Sequence, residues 1–175
     1  MTRQFKSLKE IEEYMTSKKV RNLVFRDEGI RQVLAHEMSE AVKDVVYANY
    51  TPKKYERRGD ENGGLSAQEN MHVTNVEIFI GDIVVFFENL TMGQRHKKPI
   101  YDERIDSLDG QFITDTIVEG IENNWYYPEE TDKFGRVPSD PRDFITETIN
   151  NIKANPAPLI KAIKRAYKKV GFDIK

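Results

Sequence analysis

Between Asp27 and Tyr50 apolar side chains recur at three- and four-residue steps: Ile30, Val33, Leu34, Met38, Ala41, Val42, Val45 and Val46. That period draws a wide apolar face on an α-helix, and the spacing predicts one long helix over 27–50. Pro52 sets its end near Tyr50, because proline disfavours helical geometry at Thr51 and has no amide to donate. A shorter amphipathic helix is expected over 5–19, with Leu8, Ile11 and Met15 on one stripe. Ser7 stands as its N-cap, with Glu10 three positions on in capping-box spacing.

From Val73 the period changes to two. Val76, Ile78 and Ile80 alternate with Asn75, Glu77 and Phe79, Gly81-Asp82 offers a tight turn, and 83–90 runs back. This predicts a β-hairpin. Its second strand is apolar on both faces up to Phe87, the pattern of an interior strand covered by helices on one side.

The segments around the hairpin are polar. Residues 51–72 (TPKKYERRGDENGGLSAQENMH) make a connection of about 20 residues, longer than compact domains use unless the loop is functional or mobile. Residues 91–111 are expected to be irregular. In 112–124, Ile113, Ile117 and Ile121 fall on one line of a short helix, with strand as the alternative for part of the stretch. The last helix starts with Ser139 or Asp140 as cap, Pro141 at the first helical position and Asp143 in the first turn. It carries Phe144, Ile145, Ile149 and Ile152, is interrupted at Pro156 and Pro158, resumes with Leu159, Ile163, Ala166, Tyr167 and Val170, and stops at Gly171. Phe172–Ile174 is expected as a short edge strand. The fold class is therefore α+β: a small antiparallel sheet packed against a long helix in the N-terminal half and a C-terminal helix. Residues 1–26 read as an N-terminal helical extension to a single domain over 27–175.

Composition narrows the function classes. The 175 residues suit one domain, or one domain with an appendage. With 27 Lys and Arg against 29 Asp and Glu the net charge is −2, which argues against a protein that coats nucleic acid with a uniformly basic surface. Cysteine is absent, which excludes disulfide scaffolds, Cys-ligated metals and thiol nucleophiles. The first fifteen residues carry charges every few positions, and the longest apolar run spans only 83–87. A soluble, non-secreted protein is expected, with no membrane partner.

No pattern assembles a catalytic centre. His36, His72 and His96 lie too far apart for a local metal pair; His36 is most simply a polar helix position, and each is expected to have a structural or neutral role. Neither G-x-S-x-G nor a phosphate-binding glycine pattern is present, so Gly59, Gly63 and Gly64 read as turn residues. Asp102, Glu103, Asp106 and Asp109 cluster as the carboxylates of a Mg²⁺-dependent nuclease do, but in a segment with no apolar strand to fix them. Expected, then, are no catalytic, cofactor or metal residues and no enzymatic activity. Charge is uneven: 99–150 holds thirteen acids and four bases, while 153–175 holds seven bases and one acid. The simpler meaning is a solvated helix face; the sharper one is a bipolar surface that associates head to tail with other copies. Lys53, Lys54, Arg57 and Arg58, interleaved with Tyr50 and Tyr55, could contact nucleic acid, or the tyrosines could simply cover the end of the long helix.

Three segments together carry a resemblance: the long helix running into VVYANYTPKKYERRGDENGGL (45–65), IVEGIE (117–122), and DPRDFITETINNI continuing into LIKAIKRAYKKVGFDI (140–174). In this order they resemble the minor structural proteins of long-tailed bacteriophages and prophages that complete the tail or the head–tail joint. The likeness spans 27–174; the first 26 residues depart from it. It implies an α+β tail-completion fold, a neck or tail position in the virion after synthesis in the host cytoplasm, other virion proteins as partners, a homo-oligomeric ring, and no catalysis or sequence-specific nucleic-acid binding. Tyr50, Tyr55, Arg57 and Arg58 are the expected partner-binding residues. The alternatives are a small phage-encoded regulatory protein that binds nucleic acid or a host factor through the basic 53–58 loop and, more distantly, a nuclease using Asp102 and Asp106.

Overall fold

A computed structural model describes residues 5–49, 58–93, 110–120 and 141–174. The architecture is α+β, as the patterning predicts: among the described residues, helices accompany one antiparallel two-stranded sheet. The chain forms two compact units. The first comprises 1–35, 72–88 and 155–175; the second comprises 36–71 and 89–154.

The first unit is built on α1 (Leu8–Thr16), α2 (Lys18–Phe25), the start of α3 (Glu28–Ala41) and the C-terminal helix. Ser7 caps α1 as expected, accepting from the Glu10 amide at 3.2 Å, while the Glu10 carboxylate accepts from the Lys6 amide at 2.8 Å. The single helix expected over 5–19 is in fact two. At Ser17 the backbone turns extended (ψ 144°), and the Ser17 hydroxyl bonds the Tyr14 carbonyl and caps α2 at Val20. Leu8 leaves the expected apolar stripe and lies 84% exposed; the stripe instead passes through Val20 and Val24, which the sequence reading did not assign. These two pack with Ile30, Ala162, Ala166 and Tyr167, under a margin that includes Tyr14, Met15 and Phe172.

The C-terminal helix divides where its prolines stand, into α5 (Phe144–Ala154) and α6 (Ala157–Lys169). Its start differs from expectation: Asp143 is the cap rather than a first-turn residue, accepting from the amide and hydroxyl of Thr146 at 2.8 and 2.6 Å. Pro141 precedes the helix, and Ser139 and Asp140 lie outside the described residues. α6 ends in a Schellman motif. Gly171 (φ 99°) donates to the Lys168 carbonyl at 3.1 Å, and Phe172 donates to the Tyr167 carbonyl at 3.0 Å. The tail is therefore not the expected edge strand. Phe172 folds back onto rings, 6.0 Å from Phe5, 5.7 Å from Tyr14 and 6.4 Å from Tyr167 between centroids.

β1 (Met71–Phe79) and β2 (Asp82–Asn89) form the hairpin. The turn residues are Ile80 and Gly81, one position before the expected Gly-Asp, and both have positive φ, 51° and 90°. Nine residues of β1 face eight of β2. Since Phe79 meets Asp82 at the turn and the Leu90 amide bonds the Asn70 carbonyl at the open end, β1 holds one extra residue. The extra residue belongs near Thr74–Asn75, because Val73 and Val76 are both buried although three apart. The inward face is then Met71, Val73, Val76 and Ile78 with Ile83, Val85, Phe87 and Asn89. The outward face is His72, Glu77 and Phe79 with Asp82, Val84, Phe86 and Glu88. β2 is thus one strand of a two-stranded ribbon and not an interior strand: its outward apolar residues, which made it look covered, remain partly or largely exposed.

In the second unit α3 continues without a break into a π-helical segment, Val42–Tyr47, closed by the Ala48 amide bonding the Lys43 carbonyl five residues back at 2.9 Å. The long helix therefore ends three residues short of Tyr50. α5 packs against this segment, burying Phe144 and Thr148 on one side and Val42 and Val46 on the other. α4 (Thr114–Glu119) realises the short helix expected around Ile113 and Ile117, and Ile121 lies outside the described residues. The strand alternative also holds in miniature, as Phe112 pairs with Met92 in an isolated antiparallel bridge.

Candidate interaction site

Among the described residues the densest polar construction is a clasp around residues 58–70, inside the long polar connection 51–72. Three helical residues at four-residue spacing reach it. Ser39 donates to the Ser66 carbonyl at 2.8 Å, Lys43 meets Asp60 at 3.1 Å, and Tyr47 donates to the Arg58 carbonyl at 3.3 Å. At 3.6 residues per turn, residues four apart drift around an α-helix. The wider π turn offsets that drift and keeps Tyr47 over the same loop as Ser39.

The loop is closed from the other side by side-chain amides. Asn89 donates to the Leu65 carbonyl at 2.7 Å and accepts from the Thr91 amide at 3.1 Å. Asn70 Nδ2 lies 3.1 Å from the Gly63 carbonyl and 3.2 Å from that of Gly64. Thr114 ties α4 in through the Asn89 carbonyl at 2.7 Å. Gly64 is required by close approach: a Cβ there would stand 1.9 Å from the Arg58 carbonyl oxygen.

Asp60 receives the Ser66 hydroxyl and Lys43, and those bonds, the Ser66 one first, hold its carboxyl below the usual carboxylate range. Lys43 is pushed up in turn by Glu40 and Asp60. A serine beside a carboxylate suggests a nucleophile, but Ser66 is fully buried and also contacts Tyr47, so no face of its hydroxyl is open to a substrate. The arrangement fixes a loop conformation.

Of the four expected partner-binding residues, Tyr50, Tyr55 and Arg57 lie outside the described residues. Arg58 is described, and its guanidinium braces backbone: Nη2 donates to the Met92 carbonyl at 2.7 Å and Nη1 to the Gly63 carbonyl at 3.4 Å. His36 lies exposed on α3 and His72 is exposed in β1; His96 and the acids at 102–109 lie outside the described residues. Sequence reasoning missed Tyr47, Ser66, Asn70, Asn89 and Thr91. For Asn70, Asn89 and Thr91 the signal was polar residues able to bond backbone where the strand pattern begins and ends; Tyr47 in the π-helical segment and Ser66 in the loop carried no such signal.

A family model described as YomN matches residues 7–169. The chain belongs to the YomN family. That family name is associated with phage and prophage of Bacillus, so the phage-related part of the resemblance stands. The YomN match begins at Ser7 and ends at the last residue of α6, taking in α1 and α2 as well as the clasp and the hairpin. No curated protein and no solved structure matches the chain.

Proposed function

We propose that this protein is a non-enzymatic structural component of a phage or prophage particle, of the kind that completes the tail or joins head to tail through protein–protein contacts. The observation that carries this reading is membership, over 7–169, of a family whose name is phage-associated. The order of the three segments at 45–65, 117–122 and 140–174 supports the tail-completion role, as does a loop fixed by internal bonds so that it can meet a partner with little ordering cost. Arg58 acts first as a brace for that loop, which leaves Arg57 as the cleaner probe of the basic segment. The protein acts in the virion after synthesis in the host cytoplasm, bound to other neck or tail proteins.

Mass spectrometry of purified particles induced from the source strain tests the reading. A few to a dozen copies per particle, scaled to the major capsid protein, is the expected result. Absence from clean particles overturns it.

A further inference from the structure

Two surfaces of the first unit are complementary in both charge and apolar character. The outward face of the hairpin sets Phe79, 66% exposed, and Phe86, 42% exposed, around Val84. Val84 lies two residues from Phe86 on its own strand and diagonal to Phe79 across the pair, a spacing at which sheet side chains touch. Glu77, Asp82 and Glu88 rim this patch, all exposed. On α6 the outward stripe has the reverse charge. Ile160, 48% exposed, sits one turn from Lys164 and beside Lys161, and Arg165 and Lys168 continue the exposed face. Lys168 makes only a loose exposed pair with Asp173 at 3.9 Å.

We infer that the outward hairpin face of one copy receives the basic outer face of α6 from a second copy. Charge chooses this occupant. Two hairpin faces set against each other would oppose Glu77, Asp82 and Glu88 with the same three carboxylates, and two α6 stripes would oppose cations with cations; only the unlike pairing satisfies both. The apolar residues then meet at the centre, Ile160 against Phe79 and Phe86, inside a ring of ion pairs, the arrangement of an apolar centre within a polar rim. Because the two patches differ, the contact is head to tail, and repetition closes a ring when the rotation permits. The inference names a partner for the particle role above and rests on that role only for its setting.

The test uses the full chain in two variants, both altered only at exposed or half-exposed positions. One carries Phe79→Ser and Phe86→Ser; the other carries Lys161→Gln, Arg165→Gln and Lys168→Gln. In analytical ultracentrifugation the wild type is expected to form a species larger than the monomer that weakens as salt rises, since the Debye length falls from about 30 Å at 0.01 M to about 3 Å at 1 M. Each variant alone is expected to be monomeric. Mixed, they are expected to form a one-to-one dimer, since each retains the patch that the other has lost. The chain's lack of cysteine provides a second readout that does not depend on those substitutions. Chains carrying Glu77→Cys and chains carrying Arg165→Cys, mixed under oxidation, should cross-link to each other in preference to themselves. A wild type that stays monomeric across the micromolar range at low salt, a mixture that stays monomeric, or like-with-like cross-links in excess overturns the inference. A monomeric wild type found in particles would sink this contact alone; an assembling chain absent from particles would sink the particle role alone.

Discussion

Lys169 Nζ donates to Asp27 Oδ2 at 2.6 Å, so the last turn of α6 is tied to the residue that starts α3. Asp27 Oδ1 at the same time accepts from the Gly29 amide at 3.0 Å, capping α3. The carboxylate therefore serves a helix N-terminus and a cation together. The two roles differ in weight. An aspartate N-cap contributes about 1 kcal/mol, whereas an ion pair with its lysine two-thirds exposed contributes at most about 1 kcal/mol and commonly less. Asp27→Ala should therefore cost more stability in urea unfolding than Lys169→Met, and Asp27→Asn, which keeps the cap, should recover most of the loss.

Ile80 is a β-branched residue at φ 51° with almost nothing packed on it, being 88% exposed. Left-handed geometry costs an L-residue with a branched side chain about 1–2 kcal/mol, and a two-residue hairpin loop with both φ positive favours Asn-Gly. Ile80→Asn should raise stability by about 1 kcal/mol, which for a chain of this length lifts Tm by about 2–4 °C. Differential scanning calorimetry measures it, and an unchanged or lowered Tm would mean that Ile80 makes a contact that offsets its strain.

How far the fold could be read from sequence follows the physics of each element. Period carried the long helix, the hairpin and α6, because burial on one face repeats at fixed steps. Local rules also carried Ser7 as a cap and Gly171 as a stop. Three kinds of feature escaped. The break at Ser17 is set by a single hydroxyl that bonds backwards and forwards, a choice that periodicity does not see. The exposure of Phe86 escaped because apolar outward residues look identical in sequence whether a layer covers them or not. The clasp escaped for a third reason: Asn89 and Leu65 are 24 residues apart, and only the tertiary fold brings that amide to that carbonyl.

The clasp makes a sharp distinction between neighbouring glycines. A Cβ at Gly64 would overlap the backbone of Arg58 and Gly59, atoms that cannot swing away as a side-chain end can, whereas a Cβ at Gly59 meets nothing within 4 Å. Gly64→Ala should therefore destabilise by at least the roughly 1–3 kcal/mol typical of overpacking, and hydrogen exchange should rise across 63–70 as the bonds from Asn70 and Asn89 loosen. Gly59→Ala should leave both readouts near wild type. Equal effects from the two would show that the loop relaxes more freely than its bonds imply.

Phe144 is fully buried at the start of α5, so Phe144→Ala removes a whole ring from the second unit. Phenylalanine truncations in cores cost about 3–5 kcal/mol, a large part of the stability of an ordinary domain. The expected result is a markedly lower urea midpoint, while Ile149→Ala on the outward side of the same helix should shift it little.

Acid should weaken the protein through two carboxylates with distinct partners. Asp143 is held below the ordinary range by the Thr146 hydroxyl first and the Thr146 amide next, and Asp60 by the Ser66 hydroxyl and Lys43. For a group whose folded pKa is depressed, the linked stability is present above the unfolded value, about 4 for aspartate, and is lost as pH falls through the folded value. Urea midpoints should thus hold steady from neutral pH down to about pH 5 and fall below it. Both groups are well exposed, so screening keeps each contribution modest. Asp143→Asn keeps an N-cap acceptor but has no proton to gain, so it should flatten part of the acid limb while costing little at neutral pH. At the alkaline end the sign reverses: burial raises Tyr167, so its contribution is present below about pH 10 and is lost as pH climbs through the folded value. If Asp143→Asn left the acid limb unchanged in slope, the cap would carry no linked protonation and the acid loss would have to come from other carboxylates.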